Sequence, residues 1–385
     1  MRFLILNLFS RNSLAAVKGL DREYDLIGGA YSQSRFQPLL KHLRTKRVSE
    51  VFWYSNPLID PEAFLDDIIR AVEEFRPDGI ISSGTTDTNF LSYYKDEIVT
   101  KTGTHVLVDD FDKLGKLTDK FEIFNICSKI GVPMPRTALL KELTTLERVI
   151  DDEGLKFPVV IKPRNSYASI GVKFFESNND IVHFLHSKNM SLFRRLGDYV
   201  VQEKIIGSLH DVTSCAYKGE IISMLSQERL LSLCDFGGGG IVNRTTIEPE
   251  IIGYAEKIIG HMKFSGIALF DFIKSGTGYY LLECNPKIWG TTQLTIEAGL
   301  NVIQQLVDSH LFRTHSIPRP DYEAGLVYKW IFPECVAHWF QKPYGLSRIV
   351  NRIGNTFRRY EGTRTLNNLS LDNFIHSMGV ILASY

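Results

Sequence analysis

The chain has few cysteines, no long apolar run and no net charge, and each absence removes a class of protein. Its five cysteines (Cys127, Cys215, Cys234, Cys284 and Cys335) are scattered through 385 residues, with no CxxC pair and no neighbouring histidine cluster. A disulfide framework and a zinc site are therefore not expected, and a reducing cytoplasm suits such a chain. No apolar stretch approaches the roughly 18 residues of a membrane span. The opening Met1–Phe9 is interrupted by Asn7 and followed by no small-residue cleavage site, so it reads as a first β-strand rather than a secretory signal. Lys plus Arg equals Asp plus Glu at 44 each, which gives no global field for nucleic acid or a membrane surface. A charged ligand must instead be held by local groups. The turn after the first strand, residues 7–12, has no glycine, so a dinucleotide fingerprint is absent and a redox Rossmann enzyme is not expected.

Strand and helix signals alternate through the first third. Residues 2–8, 24–27, 50–54 and 79–82 are short runs rich in β-formers. Between the last two, Asp60 and Pro61 open an amphipathic helix whose apolar residues Phe64, Ile68, Val72 and Phe75 recur at helical spacing. Such alternation predicts a parallel sheet with crossover helices. Residues 117–130 read as one helix stopped by Gly131 and Pro133. From Phe157 the pattern changes to hairpins, with turns at Lys218-Gly219 and Ser275–Gly278, which predicts a second, α+β region. After about Ser316 the tail, with Pro318, Pro320 and Pro333, is less regular; it reads as a packing extension, or as a wall of the acceptor site or of a homodimer.

Four clusters carry chemistry. Lys162 ends the apolar strand of residues 157–163, where an ammonium is costly without an anion, and the small, polar residues 164–171 read as a phosphate flap; the alternative is a snorkelling lysine before an ordinary loop. Glu203 ends a second strand shortly before Gly207, in position to face a purine edge; the alternative is an exposed edge-strand acid. Glu283 and Asn285 lie two apart on a strand and share a face, and a three-residue turn at 276–278 would set Asp271 opposite Glu283. Opposed carboxylates repel unless one takes a proton or a cation lies between them, and Asp, Glu and Asn oxygens suit Mg²⁺. Arg229, near the glycine run 237–240, can grip a carboxylate or form a surface ion pair.

In this order the motifs resemble the ATP-grasp superfamily, the group of biotin carboxylase, the carbamoyl-phosphate synthetase large subunit and D-alanine–D-alanine ligase. The resemblance covers residues 105–310. Asp119-Lys120 leading to Gly131-Val-Pro-Met-Pro is similar to the DK…GIPxP segment, residues 199–207 to the hinge, and Glu283-Cys-Asn-Pro-Lys to ExNPR. The resemblance implies ATP with two Mg²⁺ (or Mn²⁺) ions. Lys120, Lys162, Ser169 and Gly171 would then hold phosphates, Glu203 with the backbone of Lys204 and Ile205 the adenine, and Asp211 the ribose. Asp271, Glu283 and Asn285 would hold the metals; of the catalytic candidates, Lys162 would neutralise phosphate charge in the transfer, and Arg229 and Lys287 would hold the reacting carboxylate. Lys287 stands where the family commonly has Arg, which keeps the charge and loses the planar fork. The flap has fewer glycines than many relatives.

The expected architecture is α/β plus α+β. A parallel-sheet pre-grasp domain spans 1–110, a small lobe with its linking helix 111–205, a large lobe with the metal site 206–315, and an extension 316–385. The expected activity is ligation of a small carboxylate to an amine through an acyl phosphate, with no nucleic-acid or membrane partner. A bicarbonate-using carboxylase or carbamoyl-phosphate-type enzyme, and a nucleotide-binding regulator without turnover, are the alternatives.

Overall fold

The computed structural model describes residues 1–165, 171–186, 198–234, 237–276, 278–312, 321–342 and 345–384. Ser169 and most of the expected flap, Thr277, Pro318 and Pro320 lie outside these residues.

The architecture is mixed α/β, built on three sheets. The first is parallel, with strands β1 (Arg2–Leu6), β2 (Asp25–Tyr31), β3 (Val48–Tyr54), β4 (Gly79–Ser82) and β5 (His105–Val106) in the order β3-β2-β1-β4-β5. Phe3 to Leu6 are fully buried because the strand is covered on both faces. The helix Pro61–Phe75 forms as its sequence dictates. Asp60 caps it by accepting from Ala63 N–H at 3.0 Å, the expected apolar residues are buried, and Arg76 leaves it in the left-handed region at φ 47°.

The second sheet is antiparallel, with β6 (Thr137–Leu140), β7 (Val159–Pro163), β8 (Lys173–Phe175) and β9 (Tyr199–Glu203) in the order β6-β9-β7-β8. The third has seven strands: β10 (Ser208–Tyr217), β11 (Glu220–Cys234), β12 (Gly237–Thr246), β13 (Gly266–Ser275), β14 (Gly278–Asn285), β15 (Leu326–Lys329) and β16 (Arg364–Asn367). Their order is β14-β13-β10-β11-β12-β15-β16, antiparallel except for the last pair. Among the described residues no helix is long and apolar enough to cross a membrane.

Two expectations change and one is narrowed. Residues 117–130 are not one helix. Helices Phe111–Thr118 and Lys120–Ile130 meet at extended Asp119, whose carboxylate accepts from Phe121 and Glu122 N–H at 2.9 and 3.1 Å; a side chain that caps a new helix cannot continue the old one. The glycine run 237–240, whose composition allows either a close backbone approach to a ligand or a flexible loop, is the start of strand β12. The irregular tail supplies β15 and β16 to the large sheet, followed and interrupted by helices Leu346–Phe357 and Leu371–Ala383.

Contacts at the carboxyl ends of β1 and β4 dock the first sheet onto the third. Asn12 Nδ2 donates to Ser83 O at 3.1 Å and to Ile288 O at 2.9 Å, and Lys287 Nζ donates to Thr85 Oγ1. These strand ends flank the point where the strand order reverses, the usual place for a crevice in an open parallel sheet.

Candidate active site

A cavity of about 570 Å³ runs between the second and third sheets. Its near end is apolar, walled by Val160, Phe174, Leu209, Ile273 and Leu282, with the segment from Glu203 to Gly207 along its edge. Gly207 is dictated by close approach, since a Cβ there would fall 1.9 Å from Lys274 O. Glu203 Oε1 accepts from Lys156 N–H at 2.9 Å, and Lys204 N–H donates to Pro158 O at 2.9 Å. Lys204 Nζ pairs with Glu176 at 2.9 Å and lies 5.2 Å from the Phe174 ring centroid. Gly171, at φ 74°, precedes β8 and is outside the cavity lining.

The middle of the cavity is strongly charged. Strand register sets Glu283, Asp271, Asp211 and Gln227 side by side across β14, β13, β10 and β11. Asn285 Nδ2 donates to Asp271 Oδ2 at 2.9 Å and to Glu283 Oε1 at 3.2 Å. Arg229 Nη2 bridges Asp211 Oδ1 and Asp271 Oδ1, each at 2.5 Å, while Nη1 donates to Gly238 O at 2.9 Å. Gln227 Nε2 donates to the other oxygen of Asp211 at 3.0 Å. Burial pulls the Arg229 guanidinium down, but the two aspartates outweigh it and hold it above its ordinary value. Burial and the neighbouring Asp211 push the Asp271 carboxyl up, against the pull of Arg229.

Three lysines face this carboxylate row. Lys120, at the start of its helix, is buried with Nζ 3.9 Å from Glu283 Oε2; Asp119, which caps the helix, is held by Arg164 at 2.7 Å. Lys162 Nζ donates to Gln202 Oε1 at 2.9 Å, and Gln202 in turn donates to Thr137 Oγ1 at 2.8 Å. Burial lowers all three ammonium groups, with Glu283 opposing; Lys162, with Lys120 also against it, falls to about 8. Positive groups at a desolvation cost beside carboxylates that repel one another make a site suited to a polyanion together with a cation. The donor chemistry fits Mg²⁺: Asp271 and Glu283 offer hard carboxylate oxygens within reach of one another, and the Asn285 amide, which here turns Nδ2 to both, would offer its oxygen after an amide flip. Among the described residues no group of three or more His, Cys, Asp and Glu side chains is placed to hold a metal ion.

The far end is formed by Asn12, Ser232, the backbone from Gly238 to Gly240, and Trp289 to Thr291. Trp289 Nε1 and Arg229 Nε are buried there without a hydrogen-bond partner among the described residues. Arg11 supports this end from behind, donating to Gly240 O at 2.7 Å, pairing with Glu334 at 3.2 Å and lying 4.9 Å from the Trp330 ring centroid.

Of the residues expected from the sequence, Lys120, Lys162, Glu203, Lys204, Ile205, Asp211, Arg229, Asp271, Glu283, Asn285 and Lys287 all line this one cavity. Most are already engaged within the protein: Asp211 by Arg229 and Gln227, Arg229 by two aspartates, Asn285 by Asp271 and Glu283, Lys162 by Gln202, Glu203 by Lys156 N–H, Lys204 by Glu176, and Lys287 by Thr85. Sequence reasoning missed Gln202, Asn12 and Trp289. Gln202 carried a signal, a polar side chain inside an apolar strand; Asn12 and Trp289 carried none.

Comparison with known proteins gives a consistent set. A family model described as an ATP-grasp domain matches residues 117–291. The coenzyme gamma-F420-2:alpha-L-glutamate ligase of Methanococcus maripaludis is 23% identical over 205 residues, 53% of this chain and 71% of that protein. The biotin carboxylase domain of the 2-oxoglutarate carboxylase of Hydrogenobacter thermophilus, solved with MgADP, ADP and bicarbonate, superposes with a TM-score of 0.68 at 11% identity, covering 85% of this chain and 73% of that one. The L-amino acid ligase of Bacillus licheniformis gives a TM-score of 0.62 at 15% identity, covering 80% and 74%.

Proposed function

For a chain that belongs to the ATP-grasp superfamily, we propose a Mg-ATP-dependent ligase that activates a small carboxylate and joins it to an amine. It is an ATP-dependent enzyme of the ligase type. The observation that carries the finer reading is the cavity's centre, where three lysines face a row of three carboxylates and Arg229 stands beside it. On this reading residues 1–110 form the pre-grasp domain, 111–205 the small lobe, 206–315 the large lobe and 316–385 an extension that completes its sheet.

Bound Mg-ATP supplies a phosphoryl group whose transfer to the carboxylate gives a displaceable acyl phosphate. The chain's own residues do the positioning. The apolar near end takes the base, with the Glu203 carboxylate and the carbonyl side of Lys204 available to its amino edge, because the Lys204 N–H is spent on Pro158. Lys120 and Lys162 neutralise phosphate charge in a poorly solvated place, where each opposite charge counts for more than in water. Asp271, Glu283 and Asn285 hold the cations, two on this proposal. Arg229 and Lys287 hold the reacting carboxylate at the far end, after exchanging their present partners for it.

The test is an isotope experiment within a screen of carboxylate and amine pairs for ADP release. A carboxylate labelled with ¹⁸O should pass one label to inorganic phosphate as the amide forms, with bicarbonate dispensable throughout. Unlabelled phosphate from a demonstrated amide-forming reaction rejects the acyl phosphate. A strict bicarbonate requirement rejects the ligase in favour of a carboxylase.

A further inference from the structure

Between Glu334 and Glu361 the sequence contains Lys342, Arg348, Arg352, Arg358 and Arg359 and no acidic residue, in a chain whose charges cancel overall. Most of this stretch forms the helix Leu346–Phe357 and its flanks. The helix is mounted by its polar side. Arg352 and Thr356 are buried: Arg352 Nη1 donates to Gln341 O at 2.6 Å, and Trp339 Nε1 donates to Thr356 Oγ1 at 2.9 Å. Lys329, reaching from β15, donates to the carbonyls of Thr356 and Arg358 at 2.9 Å each and so caps the helix where its dipole favours a cation.

These anchors turn the apolar edge outward. Leu346, Val350 and Phe357, spaced by four and seven, fall on one stripe of the helix and are 80%, 57% and 60% exposed. Phe340, just before the helix, is 57% exposed. An amphipathic surface helix ordinarily buries its apolar edge; this one buries Arg352 and Thr356, encloses Ile349 and Ile353 only in part, and leaves Leu346, Val350 and Phe357 exposed. Lys342 before the helix and Arg358 and Arg359 after it are exposed at the two ends of the stripe, while Arg348, two residues beyond Leu346, is exposed on the opposite face.

We infer that this face is a reversible docking surface for an anionic lipid membrane. The combination of protruding apolar side chains with flanking cations is what an interfacial helix uses: apolar groups enter the acyl boundary while the cations stay among anionic headgroups. Side chains this exposed stand proud of the protein, which suits insertion into a fluid layer better than seating on a rigid partner. A second copy is disfavoured because a two-fold contact would bring an all-cationic segment against itself. Nucleic acid is disfavoured because Leu346 and Val350 have no ring to stack and no hydrogen bond to give. None of these residues belongs to the catalytic cavity, so the inference does not depend on the proposed reaction.

The test is flotation of the full chain with vesicles of mixed phosphatidylcholine and phosphatidylglycerol, against phosphatidylcholine alone. Binding should require phosphatidylglycerol and weaken with added salt. Joint neutralisation, Lys342→Gln, Arg358→Gln and Arg359→Gln, should reduce it on the order of a hundredfold. Leu346→Ser, Val350→Ser and Phe357→Ser together should abolish it. Both variants should keep the wild-type thermal shift with Mg-ATP, which controls for folding. Any of three results overturns the inference: no flotation with either vesicle, flotation indifferent to the variants, or a dimer that dissolves in the serine variant while neither protein floats. Retention of a single-stranded oligonucleotide without flotation would overturn it as well.

Discussion

Asp271 stands directly opposite Glu283 although the hairpin between them turns one residue tighter than that pairing requires. Ser275 pairs with Gly278, so a regular ladder would oppose Asp271 to Leu282. A bulge at Leu282 absorbs the difference, brings Glu283 back opposite Asp271 and puts Leu282 in the wall of the cavity. The two carboxylates and Asn285 thereby share one face.

Because that pair is the proposed seat of the cations, Glu283→Gln should remove a charge while nearly preserving shape. Turnover should fall by about two orders of magnitude or more. The measurement is ADP release by a protein whose melting curve is unchanged. Undiminished ADP release would remove Glu283 from the mechanism.

Lys162 should make the nucleotide-free protein more stable as pH rises. Its ammonium sits at about 8 in the folded chain against an ordinary 10.5. Between these values the unfolded chain holds a proton that the folded chain does not, so stability rises with pH across the window. Below pH 8 both forms are protonated and the cost of enclosing the charge is fully present. Lys162→Met should therefore stabilise the free protein at neutral pH by about 2 kcal/mol, after allowance for cavity water, and flatten the alkaline rise. It should also lose ATP binding. For the wild type, titration calorimetry at about pH 9 in buffers of different ionisation heat should show proton uptake with ATP; absence of uptake would dissociate Lys162 from the phosphates.

Acid stability should depend on two histidines remote from the cavity. Burial pushes His376 and His310 each to about 4; His376 Nε2 lies 3.1 Å from Ser13 Oγ, and His310 Nδ1 lies 3.0 Å from Leu306 O. From about pH 6.5 down to 4 the unfolded chain binds protons that these folded histidines refuse, so stability falls with acidification. Each contributes a slope of about 1.4 kcal/mol per pH unit. Urea midpoints for His376→Gln should show an acid limb shallower by one proton.

How much of this site was legible depended on how local its determinants are. Glu283 and Asn285 are two apart on a strand, so alternation alone placed them on one face. Their pairing with Asp271 was expected from a three-residue turn; the real turn is shorter and the bulge compensates, and a bulge leaves no mark in hydropathy. Asn12 reaches Ile288 across 276 positions, and no local pattern announces such a contact. Strands β15 and β16 were hidden for a related reason. Each has four residues, and they pair in parallel without a tight turn between them. Lys120 was identified only through the resemblance, since a lysine beginning a helix has no distinctive signal until Glu283 is brought within 3.9 Å.

Arg229 separates a structural role from a catalytic one. It is the cation between Asp211 and Asp271, so Arg229→Met should leave two buried carboxylates adjacent and unneutralised. Removing one partner from such a network costs about 3–5 kcal/mol. The deficit should depend on pH with a definite sign. Burial and Asp211 already hold the Asp271 carboxyl up at about 7 with Arg229 present, so both proteins lose stability as pH rises toward that value. Without the guanidinium the folded variant keeps the proton to higher pH than the wild type, its stability goes on falling, and the gap widens above neutrality. Divalent cation should narrow the gap, because it replaces the missing charge. Urea melts of both proteins from acid to mildly alkaline pH, with and without Mg²⁺, read all of this directly. A deficit independent of pH and metal would mean that Arg229 acts by packing alone. If Arg229 also grips the substrate carboxylate, Arg229→Lys should restore most of the stability and leave the carboxylate KM raised, since lysine supplies the charge without the fork.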